Sequence, residues 1–252
     1  MIATVLNRTS DAVRWVAGGL STLLYPSVCC VCSAELAAYE GPYFCGDCGA
    51  EIASGGMSCD AVEYSIAPAY LPPYVPAYAC FPYERAAEAA VKLLKYGGKT
   101  KLAATMGDAV AVLMSLLNGE RVFDAAVAVP LHPRRKRERG FDQSRVIACR
   151  AAVKADVPLA YDGVLKRVRD TVPQVALDGE ARLYNIADAF AGDRRFFAGR
   201  RIVLIDDVIT TGATIRACTQ AVESAGGVVG AAVAFTAPGV GRSHKNDTGI
   251  GG

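Results

Sequence analysis

The chain has 252 residues, of which 52% are hydrophobic and 21% charged, so it can bury the core of one large or two smaller domains. A formal net charge of +2 is close to neutral and argues neither for nor against nucleic acid, so any basic surface has to be local. Beyond the N-terminal stretch, no segment reads as the run of about 18 apolar residues that a membrane span needs.

In the first 27 residues Asp11 and Arg14 interrupt the apolar run, which argues against a secretion signal. Val13, Val16, Ala17, Leu20, Leu23 and Leu24 recur at helical spacing and predict an amphipathic helix. With no export signal read there, a cytoplasmic location is expected. Of nine cysteines, four then form two Cys-x-x-Cys pairs, Cys29 with Cys32 and Cys45 with Cys48. In a reducing compartment such pairs bind metal rather than oxidise, and four thiolates enclose one tetrahedral structural zinc. Cys80, Cys149 and Cys218 stand in apolar contexts and are expected in the core.

Residues 1–62 are therefore read as an N-terminal helix and a zinc-binding module, and the proline-rich residues 63–83 as an extended connector. From residue 84 strand and helix patterns alternate. Helices are predicted over 84–96, with Ala87, Val91 and Leu94 inward and Lys92 and Lys95 opposite, and over 102–117. A strand over 123–129 precedes a helix over 141–153, a short strand over 159–164 and a helix over 180–190. A buried strand over 202–205, a helix over 213–225 and a strand over 228–235 complete the series. This alternation predicts an α/β fold with a parallel sheet covered on both faces, spanning 84–238. Residues 239–252 read as a disordered tail.

The most specific chemistry lies between Arg201 and Thr214. Four apolar residues end in two adjacent acids, Asp206 and Asp207, and a turn of small residues then opens a helix. Ligands of open α/β sheets bind at the carboxyl ends of strands, and a helix N-terminus presents N–H groups to an anion. Val208, Thr210, Thr211, Gly212, Ala213 and Thr214 would cradle a phosphate, with three hydroxyl donors and a glycine that lets the backbone come close. The two acids would accept the vicinal hydroxyls of a sugar. Together they describe a ribose 5-phosphate site; the bland alternative is a pair of strand-end acids followed by an N-cap.

This segment resembles the sugar-phosphate motif of the phosphoribosyltransferase superfamily, and the chain from about Tyr25 to Pro238 is similar to the ComF family, named for proteins of bacterial DNA uptake. Three further blocks carry the resemblance: the cysteine pairs, Pro130 to Ser144, and Leu165 to Gln174 followed by Arg182 and Asn185. The resemblance implies a type I-like phosphoribosyltransferase fold with an N-terminal zinc ribbon. It also implies binding of phosphoribosyl pyrophosphate (PRPP) with magnesium. Leu131, His132 and Arg134 fall in the implied pyrophosphate loop, with His132 equally open to a structural role. Lys166, Arg167 and Arg169 fall in the implied mobile catalytic loop. The basic run from Arg134 to Arg139 suits a pyrophosphate, a nucleic-acid backbone or a solvated face. Two departures stand out: the family commonly has Asn where Asp142 stands, and only Cys59 appears where a third cysteine pair often follows. Lys95 to Gly98 resembles another family block, without an assignable role.

Three functions stay open at this level. The chain is a phosphoribosyltransferase (pentosyl transfer) with an unidentified acceptor, a PRPP-binding sensor, or a single-stranded-DNA-binding component acting with DNA-uptake proteins in competence. A homodimer is compatible with each.

Overall fold

The computed structural model describes residues 28–36, 43–55, 62–65, 75–97, 100–120, 122–169 and 189–238. The chain divides into two units, 1–52 and 53–252. The helix expected over 13–24, Cys59, residues 170–188 with Arg182 and Asn185, and the tail expected at 239–252 lie outside the described residues.

In the first unit Val28 bridges Glu35 in antiparallel fashion around the first cysteine pair. The Cys30 N–H donates to the Tyr43 carbonyl at 3.0 Å, tying that knuckle to the start of the second. Helix α1 (Gly46–Gly55) carries Cys48 in its first turn.

The second unit is built on a five-stranded sheet. Its strands are β1 (Val62–Ser65), β2 (Pro76–Pro82), β3 (Ala125–Ala128), β6 (Arg201–Val208) and β7 (Val228–Ala237), in the order β1-β2-β7-β6-β3. All neighbours run parallel except β1, which pairs antiparallel with β2 at the edge. Strand β6 lies between two partners and is covered on both faces. Six of its eight residues are buried, so its apolar run needs no alternation. Helices α2 (Arg85–Gly97), α3 (Leu102–Glu120), α4 (Pro133–Arg139), α5 (Gln143–Lys154), α6 (Arg194–Phe197) and α7 (Ala213–Ser224) connect and cover it. A separate antiparallel pair, β4 (Leu165–Arg167) and β5 (Phe190–Gly192), stands apart from the main sheet.

Small residues fix the closest helix contact. A Cβ on Gly107 of α3 would lie 2.6 Å from the Arg150 Cβ and 2.9 Å from the Ile147 carbonyl oxygen of α5. The neighbouring Asp108 then takes the Arg150 guanidinium at 2.7 and 3.1 Å. Gly107→Ala is expected to destabilise by about 1–3 kcal/mol, because the helices must part to admit the methyl. The denaturant midpoint measures it, and an unchanged midpoint rejects this packing.

Several expectations are corrected. Residues 63–83 are not a connector, because β1 falls at 62–65 and β2 runs inside the sheet between β1 and β7. Pro76 and Pro82 sit only at the ends of β2, where proline is tolerated, while Ala77, Tyr78 and Ala79 between them are buried. The strand expected over 159–164 reduces to one bridge from Leu159 to Ala126. The chain then turns through Gly163, at φ 94°, and the strand begins at Leu165. Phe190, expected to end a helix, lies in β5. Cys149 is exposed rather than in the core, because it falls off the α5 stripe of Ile147, Ala148, Ala151 and Ala152. Among the described residues one helix, α3, holds an 18-residue stretch (Leu102–Gly119, mean hydropathy 1.4) long and apolar enough to cross a membrane. Half of that stretch is buried within the domain, and its Asp108 is engaged by Arg150.

Candidate functional site

Strand β6 delivers Asp206 and Asp207 to its carboxyl end, where both are buried. The Ser144 hydroxyl, in the first turn of α5, donates to Asp206 Oδ1 at 2.7 Å, and the Asp207 N–H donates to the same oxygen at 2.8 Å. Burial, and next the charge of Asp207, hold the Asp206 carboxyl well above the usual carboxylate range. Asp207 faces a cation: Lys95 Nζ, from the last turn of α2, lies 2.8 Å from its Oδ2. That buried oxygen accepts no aligned hydrogen bond, so charge alone holds the pair. It keeps its accepting capacity for a hydroxyl.

Beyond the acids, Gly212 occupies the N-cap of α7 in the left-handed conformation, φ 72°, which a residue with a Cβ rarely adopts. No side chain caps that helix. Thr211 Oγ1 reaches the Ala213 N–H only at 3.4 Å. Thr210 and Thr211 are exposed and Thr214 is half-buried, so hydroxyls and uncapped N–H groups face outward together.

The loop after β3 is held differently. Leu131 N–H donates to Asp142 Oδ2 at 3.0 Å, and Asp142 Oδ1 accepts from Arg145 N–H as the N-cap of α5. His132 caps α4, its Nδ1 accepting from the Arg134 N–H at 3.3 Å. That is the structural one of its two expected roles. Asp142 is largely desolvated, which raises its pKa despite the two N–H groups. It thus places an anion on a backbone donor of the loop where a pyrophosphate was expected. Asp142→Asn keeps one capping oxygen, for the Arg145 N–H, and sets an amide NH2 that cannot accept against the Leu131 N–H, so melting temperature should fall. Affinity for inorganic pyrophosphate should rise several-fold as repulsion is relieved. A thermal scan and a calorimetric titration check the two, and weaker binding by the variant would reject the repulsion.

A cavity of about 330 Å³ opens beside this loop, with Leu131, Lys136, Asp142, Arg145, Lys166 and Arg167 among its walls. Lys166 and Arg167 reach it from β4, and the Arg167 guanidinium lies 5.4 Å from the Phe190 ring centroid. Arg145 anchors the far wall, with Nη1 2.7 Å from the Ala160 carbonyl and Nε 2.7 Å from Asp162 Oδ1. Of the predicted residues, Leu131, Lys166 and Arg167 meet here. His132, Arg134 and Arg169 do not line the cavity, and Arg134 pairs on the surface with Glu138 at 3.6 Å. Sequence reasoning missed Lys95, Ser144 and Arg145. Lys95 and Ser144 carried a signal, in the blocks from Lys95 to Gly98 and from Pro130 to Ser144.

In the first unit the four Sγ atoms of Cys29, Cys32, Cys45 and Cys48 lie within 4.8 Å of one another. Cys32 and Cys45 approach to 3.6 Å. Zinc–sulfur bonds of about 2.3 Å in a tetrahedron give sulfur separations near 3.8 Å, so the set fits zinc. At Cys29 burial acts upward, but N–H groups of Cys32, Cys45 and Val31 outweigh it and bring the thiol down to about 6. Burial and the neighbouring sulfurs push Cys48 up to about 12. One thiolate is favoured and further ones are opposed, which is the charge problem a divalent cation relieves.

Comparison with known proteins bears on the sheet domain. Residues 142–249 match the phosphoribosyl transferase domain model, which takes in the acid pair and the turn before α7. Competence protein F of Haemophilus influenzae is 32% identical over 105 residues, covering 41% of this chain and 45% of that protein. The DNA utilization protein YhgH of Salmonella typhimurium is 28% identical over 216 residues, 84% of this chain and 91% of the relative. The chain is similar to ComF-like proteins of the phosphoribosyltransferase superfamily. Its parallel sheet with flanking helices is the type I fold of that superfamily, and its cysteine cluster is compatible with the zinc ribbon. The adenine phosphoribosyltransferase of Salinispora arenicola is 37% identical over 111 residues, 44% of this chain and 52% of the enzyme. That match, like the one to Competence protein F, spans only about half of the relative.

Proposed function

We propose that the chain binds PRPP at the carboxyl ends of β6 and β3 and transfers its phosphoribosyl group to an acceptor. The observation that carries this is the buried Asp206–Asp207 pair set directly before the uncapped N-terminus of α7. The acids accept the ribose hydroxyls, while Thr210, Thr211 and the N–H groups after Gly212 take the 5-phosphate. Lys136, Arg145, Lys166 and Arg167 surround the cavity beside the loop after β3 and neutralise the departing pyrophosphate. Magnesium would be held by oxygens of the ligand beside Asp207 and would supply charge neutralisation. The acceptor's nitrogen forms the bond to the anomeric carbon. The bond to pyrophosphate breaks with its electrons on the leaving oxygen, and the acceptor's proton passes to water. The reading places the chain in the cytoplasm, where thiolate ligands stay reduced. Incubation with magnesium, PRPP and a panel of bases and amines should release pyrophosphate. Stabilisation by PRPP without release in any mixture would support the sensor reading instead.

A second role is favoured by α4, which buries none of its residues and carries Arg134, Arg135, Lys136, Arg137 and Arg139. We infer that it contacts single-stranded nucleic acid, in line with a DNA-uptake connection. Replacing Arg134, Arg135 and Arg137 by alanine should weaken single-stranded DNA binding and flatten its log–log salt slope by about 2, at roughly 0.7 per phosphate contact. PRPP should bind as before, since none of the three lines the cavity. Equal loss of both ligands would mean one shared phosphate site.

A further inference from the structure

We propose that Tyr161, braced by Phe196 and flanked by Arg194, Arg195 and Arg200, is a base-stacking platform for single-stranded DNA; the inference rests on the single-strand reading of α4 above. Three aromatic rings lead from the core to the surface. Phe197 is fully buried, Phe196 is half-buried against the core, and Tyr161 is 57% exposed. Neighbouring rings meet in T-shaped contacts, with centroids 5.2 Å apart for Phe196 and Phe197 and 5.5 Å apart for Tyr161 and Phe196. The Arg200 guanidinium lies 4.6 Å from the Phe196 centroid and donates to the Phe196 carbonyl. At its other end the Tyr161 hydroxyl donates to Asp193 Oδ2 at 3.2 Å. The tyrosine is thus fixed at two places while more than half of it stays in water. A flat ligand that stacks on it meets a ring already held, so little ordering has to be added on binding.

The charges around the ring decide the class of partner. Two carboxylates stand beside it, and both are engaged. Asp193 caps α6, accepting from the Arg195 N–H at 2.9 Å, and Asp162 takes Arg145 at 2.7 Å. Arg194, Arg195 and Arg200 are exposed, and among the described residues none of their guanidiniums pairs with a carboxylate. The patch therefore keeps positive charge for an outside anion. Lys136 of α4 and Tyr161 line the same cavity, so the cationic helix and the ring face one mouth. A strand whose phosphates lie on α4 has the ring beside its path. An acidic peptide would satisfy the guanidiniums and leave the ring unused, and duplex DNA keeps its bases stacked on one another. An unpaired strand offers phosphates and free base faces together.

The test uses the full-length protein and fluorescence anisotropy with three labelled probes of equal length: oligodeoxythymidylate, an abasic strand, and a duplex. The parent should bind oligodeoxythymidylate about tenfold more tightly than the abasic strand, which carries the same phosphates without bases. Tyr161→Ala should erase that ratio and keep the log–log salt slope, while Tyr161→Phe should keep most of the ratio. Arg195→Ala should lower the slope by about 0.7, one phosphate contact. The triple replacement on α4 should do the converse of Tyr161→Ala, flattening the slope and keeping the ratio. No binding of oligodeoxythymidylate by the parent at low salt would remove the single-strand reading itself, and the platform with it. Equal binding of oligodeoxythymidylate and the abasic strand would leave α4 standing and overturn the platform alone. So would a duplex bound as tightly as the single strand, or an unchanged ratio in a Tyr161→Ala variant that melts like the parent.

Discussion

Asp206→Asn combined with Asp207→Asn should abolish the stabilisation that PRPP and magnesium give the parent protein. Each charge-assisted hydrogen bond to a ribose hydroxyl contributes about 1.5–3 kcal/mol, so losing two lowers affinity by roughly 100-fold to 20,000-fold. The two acids should contribute unequally. Asp206 is buried and pushed up to about 8, so near neutral pH it already carries much of its proton, and asparagine imitates that form. Its Oδ1 would still accept from the Ser144 hydroxyl and the Asp207 N–H. Asp207 pairs with Lys95 at 2.8 Å, and Asp207→Asn alone should cost most of the affinity. A pH series separates the two further. The folded chain holds the Asp206 proton more tightly than the unfolded chain does, so the parent loses stability as pH rises from 3.8 towards about 8. Asp206→Asn lacks that loss and should gain on the parent progressively across the same window. Thermal melts across it, with and without PRPP, read both effects. Equal binding by the double variant and the parent would remove the acids from the site.

Most of the described elements from residue 84 onward were legible because they follow one period. Strand β6 is a continuous apolar run, and α2 repeats its buried alanines, Val91 and Leu94 on one stripe. The acid pair and the turn at Gly212 were legible for the same reason: their chemistry is local in sequence. What escaped was long-range. Ser144 and Asp206 are 62 positions apart, and only the packing of α5 on β6 brings them to 2.7 Å. Lys95 was read as a solvent-facing residue opposite the apolar stripe, yet the end of α2 lies where a short turn of the helix suffices to aim it at Asp207. Strand β2 was hidden by composition, because its flanking prolines mask the buried alanines between them. Asp142 could be singled out as a departure from a family pattern, but its grip on Leu131 could not, since that depends on where the loop after β3 folds back.

Metal removal should have the largest structural effect, and it should be confined to the first unit. Among the described residues of 1–52, only Cys29, Cys48 and Ile52 are buried, and two of these are proposed metal ligands. So small an apolar core cannot offset the entropy of ordering the two knuckles, whereas a closed four-thiolate zinc site contributes about 10–16 kcal/mol to folding. Freshly purified, reduced protein should therefore contain one zinc per chain. A strong chelator should make residues 28–52 exchange amide hydrogens rapidly and yield to protease. The sheet domain has its own buried core, from Ile202, Leu204 and Ile205 on β6 to Phe235 on β7, and should keep slow exchange throughout. It should also keep its melting shift with PRPP, because no residue assigned to that site lies in the first unit. Cys32→Ser with Cys45→Ser should reproduce the chelated state without chelator, as these sulfurs are neighbours in the cluster at 3.6 Å. Metal analysis, hydrogen exchange and the PRPP melt form one experiment on one preparation. Zinc-free protein with slow exchange at 28–52 would show that the thiols hold the knuckles without metal. Loss of the PRPP shift on chelation would show instead that the two units act as one.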